Sequence, residues 1–185
     1  MVKQKRLKIL LFINLFSLTG FYVFAPLYSL FAHGFELSPK TISLIWSGYS
    51  LATAFFILLM GKIENRRKKG RLVVIGYFIY SLGALGFLLV NNEKSLILVL
   101  LVNALGAGIT LPAYKTMFSK NEEKGRESEQ WSWLDAGNMF AAAIGAGIGG
   151  LIIGIYGFKG LFITMATIQL VAAFIAYKFF YNSSQ

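Results

Sequence analysis

The sequence has no cysteine, which leaves no disulfide framework and no thiolate metal site. One histidine and eight acids supply little for a catalytic constellation. No His/Glu metal set and no Ser/Lys dyad can be assembled from them, so neither an enzyme nor a cofactor is expected. Charge is scarce, at 14% of the 185 residues, against about a quarter in soluble domains. Hydrophobic residues make up 56%. A soluble domain of this size has too much water-facing surface to hide them. Lipid is the better solvent, and the chain reads as one domain, 1–185.

The apolar residues come in long runs. Crossing the hydrocarbon core takes about 20 mostly apolar residues in a helix. Six stretches meet that length: 8–32, 41–62, 71–91, 95–119, 132–156 and 159–181. They are too uniformly apolar for barrel strands, which alternate. The first run follows a basic N-terminus, but at about 24 residues it exceeds the 7–15 of a signal-peptide core and lacks a small-residue cleavage site. It reads as a membrane span. The expectation is an all-α membrane protein with six transmembrane helices.

The net charge of +10 is explained by its placement. Fifteen of the eighteen Lys and Arg residues fall at the N-terminus, between spans two and three, around the 119–131 connector, or at Lys178. The other side has Lys40, Lys94 and Lys159. The positive-inside bias then puts both termini in the cytoplasm and the protein in the cytoplasmic (inner) membrane. Nucleic acid is not an expected partner, since no finger, RRM or basic-zipper signature is present. The basic clusters serve as topology signals and as contacts to anionic headgroups.

The chain also resembles itself. A shift of 86 residues lays Gly20, Pro26 and Tyr28 on Gly106, Pro112 and Tyr114. A shift of 89 lays Gly48, Ala52 and Gly61 on Gly137, Ala141 and Gly150, and a shift of 90 lays Lys69-Gly70 on Lys159-Gly160. Coincidence among Gly- and Ala-rich helices is the competing explanation. As a repeat, 8–91 and 95–181 would each hold three spans, and an odd number inverts the second copy, a common transporter plan. Pro26 and Pro112 are expected to kink their helices, either along a substrate path or as plain structure.

Several residues stand out on these spans. Asn14, Ser17, Phe21, Phe24 and Tyr28 share one face of the first helix. The 86-residue shift pairs Ser17, Phe21, Phe24 and Tyr28 with Asn103, Ala107, Thr110 and Tyr114. Aromatic rings with sparse amides and hydroxyls suit an amphipathic or aromatic solute; bonds between neighbouring helices are the plainer explanation. We take Asn14, Ser17, Phe21, Tyr28, Asn103, Thr110 and Tyr114 as the candidate substrate path. Asp135, near the start of span five, is either a helix N-terminal charge or half of a gating pair with Lys115. Gly145, Gly149 and Gly150 fit close helix packing. His33 reads as an interfacial residue, and Trp131 and Trp133 as interfacial anchors.

The Gly61–Arg71 connection resembles the loop between helices two and three of the major facilitator superfamily, Gly-x-Leu-x-Asp-Arg-x-Gly-Arg-Arg. Gly61, Ile63, Arg66 and Lys69 match; Asn65, Lys68 and Gly70 depart. Gly145-Ala-Gly147-Ile-Gly149-Gly150 is similar to the family's antiporter motif, with Ala146 in place of proline. Gly106-Ala-Gly108 before Pro112 resembles its fourth helix, with Val102 where many members carry arginine. The resemblance implies one six-helix half of such a transporter, built of two inverted three-helix repeats. It implies a half-size carrier that moves a small organic solute as a homodimer, or with a second six-helix half. A non-transporting scaffold, or a truncated transporter, is the alternative reading. No acid falls in span one or four, so facilitated diffusion and proton coupling are both open.

Overall fold

The computed structural model describes residues 2–64 and 68–181. Its described residues form helices α1 (Val2–Tyr22), α2 (Tyr28–His33), α3 (Pro39–Glu64), α4 (Lys69–Gly86), α5 (Glu93–Lys120) and α6 (Glu127–Phe180). Helices suit a lipid solvent because they satisfy every backbone donor and acceptor internally. Among the described residues five stretches are long and apolar enough to cross a membrane: Gln4–His33, Pro39–Lys62, Lys69–Leu89, Glu93–Lys120 and Glu127–Phe180.

The last of these is 54 residues long. A straight helix of that length would reach about 80 Å, far beyond a hydrocarbon core of about 30 Å. Gly157 breaks it, with φ 63 and ψ −167. That backbone region is open almost only to glycine. The chain then turns back. Asn138 meets Asn14 on α1 and Gly149 meets Val23 just past its end on the way out, while Phe162 and Gln169 meet Phe24 and Ser17 on the way back. The break falls in the gap expected between 156 and 159.

Other ends follow local chemistry. Pro39 opens α3, and the Ser38 hydroxyl accepts the Thr41 backbone N–H at 3.2 Å. At α5 the Asn92 side chain accepts the Ser95 N–H at 2.9 Å, and the Ser95 hydroxyl accepts the Asn92 N–H at 3.1 Å, a reciprocal cap. The stretch expected as a 119–131 connector is shorter, because α5 runs to Lys120 and α6 begins at Glu127. Glu127 and Glu129 lie in the first turn of α6, where the helix dipole favours them, and Arg126 pairs with Glu129 at 2.8 Å.

Two apolar clusters stack along the bundle. One gathers Phe24, Phe31, Phe87 and Phe162 with the starts of α3 and α5. The other gathers Leu10, Val73, Tyr114, Phe118, Leu134 and Phe180, from the starts of α1, α4 and α6 and the ends of α5 and α6. The helices therefore alternate in direction, and Lys69 and Asn92 sit at opposite ends.

Candidate substrate cavity

Between the two clusters lies a polar belt. A cavity of about 190 Å³ opens there, lined from α1 by Asn14, Ser17, Leu18 and Phe21. From α3 come Tyr49 and Thr53, from α4 Tyr77 and Tyr80, from α5 Ala107, Thr110, Leu111 and Tyr114, and from the last arm of α6 Gln169. None of these thirteen side chains is ionisable near neutral pH, since a phenol has an ordinary pKa of about 10.

The belt is held by hydrogen bonds between distant helices. The Ser17 hydroxyl donates to the Gln169 Oε1 at 2.8 Å, and the Gln169 Nε2 donates back to the Ser17 carbonyl at 2.9 Å. Gln169 is 1% exposed, so both ends of its amide need these partners. The Tyr114 phenol donates to the Leu10 carbonyl at 3.2 Å, and Asn14 donates to the Asn138 side chain at 2.7 Å. Thr53 and Thr110 each donate at 2.8 Å to the carbonyl four residues back, Tyr49 and Gly106. Among the described residues the Tyr80 phenol has no hydrogen-bond partner.

The cavity thus unites Asn14, Ser17, Phe21, Thr110 and Tyr114 from the expected path. Tyr28 and Asn103 lie outside it. Tyr28 stands beyond the 3-10 turn Ala25–Leu27, packed on Trp46 in the aromatic cluster, its phenol 3.4 Å from the Ile42 carbonyl. The turn ends the α-helical phase on which the shared face was read. Asn103 donates to the Val99 carbonyl at 2.9 Å and fills the space that Gly83 leaves open. The structure adds Tyr49, Thr53, Tyr77, Tyr80 and Gln169, which the sequence reading missed. Their signals were the i, i+4 pair Tyr49/Thr53, the i, i+3 pair Tyr77/Tyr80, and the one side-chain amide of span six.

The remaining candidates are placed as follows. Pro26 sits in the 3-10 turn, while α5 runs on through Pro112 without a break. Lys115 and Asp135 are both exposed, and among the described residues no ion pair joins them. Gly61 is exposed at the end of α3 and Lys69 is buried at the start of α4; Asn65 and Arg66 lie outside the described residues. A Cβ on Gly145 would stand 2.7 Å from the Thr19 carbonyl oxygen, and one on Gly149 would overlap that of Val23. These two glycines seat α6 on the backbone of α1. Gly150 takes no part in that seam: it lies about 100° further round the helix, with nothing within 4 Å of where its Cβ would be.

A family profile described as Major Facilitator Superfamily matches residues 10–185. The riboflavin transporter RibZ of Clostridioides difficile is 27% identical over 152 residues, which are 80% of this chain and 32% of that protein. The proton-coupled antiporter flippase LtaA of Staphylococcus haemolyticus is 27% identical over 161 residues, 85% of this chain and 40% of that protein. These relatives are transporters, not enzymes. The chain therefore spans about a third to two fifths of the length of the curated relatives it matches. The solved structure of the POT family transporter PepTSo superposes with a TM-score of 0.77 at 16% identity, covering 94% of this chain and 37% of that one. A match over nearly the whole chain, on an all-helical bundle with the same fold as a solved transporter, establishes that this chain belongs to the Major Facilitator Superfamily.

Proposed function

We propose that the chain is one six-crossing half of a transporter, that it pairs with a second copy of itself, and that it moves an uncharged aromatic or amphipathic solute. The observation that carries this reading is the cavity. Its lining offers four phenols, one phenyl ring, two amides and three hydroxyls, with no carboxylate or ammonium to attract an ion. Pockets for drug-sized ligands run to about 300–1,000 Å³. A cavity of about 190 Å³ falls short of that, and a facing copy would double it.

Packing supports the inverted repeat. By the shifts noted above, Tyr22 corresponds to Gly108 and Phe56 to Gly145. A Cβ on Gly145 would meet the Tyr22 Cβ at 2.7 Å, and one on Gly108 would overlap the Phe56 Cβ. The same inter-helix contact recurs with the glycine on the opposite partner. A second pair agrees: a Cβ on Gly20 would stand 3.2 Å from the Gln169 side chain, and one on Gly106 would stand 3.3 Å from that of Ile79. Gly20 corresponds to Gly106 and Ile79 to Gln169. The six crossings follow if Gly157 is the turn between the fifth and sixth, and the cytoplasmic side follows from the basic residues gathered at the end that holds both termini.

Reconstitution into liposomes tests the proposal. Labelled riboflavin, the solute named for one relative, is a suitable first probe within a panel of uncharged aromatic solutes. Uptake is expected from vesicles with at least two copies each. Cross-linking that finds no self-pairs, together with no uptake of any panel member, defeats the reading.

A further inference from the structure

We infer that the notch between the start of α1 and the end of α6 binds an anionic phospholipid, with Lys5 and Lys8 holding its phosphate. The notch has a volume of about 590 Å³. Gln4, Lys5 and Lys8 form its polar end; Ile9 and Phe12 on α1, with Ile175 and Phe179 on α6, form its apolar wall. Lys5, Lys8 or Ile9, and Phe12 follow one another at helical spacing on a single face of α1. Polarity therefore falls along the axis of the notch in the order in which a phospholipid presents headgroup and chains.

Three features favour this occupant over a free anion or a neutral lipid. Phe12 is 54% exposed and Phe179 43% exposed, so about half of the ring surface on this wall is left uncovered by protein. No carboxylate lines the notch. The adjoining notch, which shares Gln4 and Lys8, is lined by Glu123 and Glu129 together with Arg126, so its carboxylates balance its cations and it lacks the net positive charge of the first. Further cations stand near the same end of α6: Lys178 is exposed beside Phe179, and the Arg71 guanidinium lies 4.9 Å over the Tyr181 ring. Such a basic pocket between spanning helices, at the membrane boundary, is the form in which anionic headgroups are recognised. The site is separate from the cavity and does not depend on what the cavity carries.

Native mass spectrometry of the full chain in mild detergent tests the assignment. Dioleoyl phosphatidylglycerol and dioleoyl phosphatidylcholine differ there in headgroup alone. Phosphatidylglycerol is expected to bind about 25-fold more tightly, at about five-fold for each lysine near the surface. K5Q/K8Q should remove that preference, and K120Q/K124Q, exposed lysines outside the notch, should keep it. Glycerol 3-phosphate should not displace the lipid. Equal binding of the two lipids in the unaltered protein overturns the assignment, as does a preference that survives K5Q/K8Q. Full displacement by glycerol 3-phosphate overturns it in favour of a soluble-anion site.

Discussion

Gln169 and Tyr80 line the same cavity but do opposite things with their polar atoms. Gln169 spends its whole amide on Ser17, with one bond in each direction at 2.8 and 2.9 Å, and so couples α1 to the last arm of α6. Gln169→Leu removes both bonds and leaves the buried Ser17 hydroxyl without its amide partner. The expected cost is about 1–3 kcal/mol of stability, read as an earlier thermal transition in detergent by tryptophan fluorescence. Tyr80 holds nothing up. Tyr80→Phe should therefore leave that transition within about 0.5 kcal/mol of the original. If the phenol bonds the solute, KM for uptake should rise about three- to ten-fold, the worth of one hydrogen bond. An unaltered KM would show that the solute does not use this phenol. The residues on α1 and α5 were legible because amides and hydroxyls at helical spacing stand out in an apolar helix. The tyrosines of α3 and α4 were not, since a lone phenol in a hydrophobic run looks like core until its neighbours are placed. Tyr28 and Asn103 fall outside the cavity for local reasons: the Ala25–Leu27 turn changes the face of the first, and the second bonds the carbonyl of Val99.

The glycines of α6 differ by what stands over them. Gly145 and Gly149 lie under the backbone of α1, and a side chain at either must push that helix away. Gly149→Val forces such a shift and also adds a branched residue within the helix; a loss of several kcal/mol is expected, because overpacking alone costs about 1–3. Gly150→Ala is the control. With open space around it, it should keep stability or gain up to about 1 kcal/mol from helix propensity. Gly157 differs again, because its constraint is the backbone. At φ 63 and ψ −167, Gly157→Ala should cost about 1–3 kcal/mol although the added methyl meets open space. Thermal transitions of the three variants, measured side by side, separate crowding from backbone strain. The spans themselves were legible in the hydropathy of the sequence. The seam was legible only as a spacing of small residues, which selects Gly145 and Gly149 together with Gly150; the rotation of α6 against α1 decides among them.

At the scale of the molecule, the two ends of the bundle differ in charge. Basic residues gather at one end, and accessibility labelling should find Lys69 and Asn92 in different compartments. The charge at the middle of the bundle bears on energy coupling. A homodimer presents one lining twice, so a cavity without an acid stays without an acid on assembly. Its phenols, with an ordinary pKa of about 10, do not titrate between pH 6 and 8. Uptake by the homodimer should then follow the solute's own gradient. A protonophore should leave the initial rate unchanged, and imposing a gradient of two pH units should change it by less than about two-fold. A rate that collapses with the protonophore would mean that an acid outside the lining takes part. Asp135, exposed in the first turns of α6, is then one candidate within this chain, and Asp135→Asn tests it. If that variant transports without proton dependence, Asp135 is the coupling acid; if it remains protonophore-sensitive, the coupling acid is one of the chain's other seven.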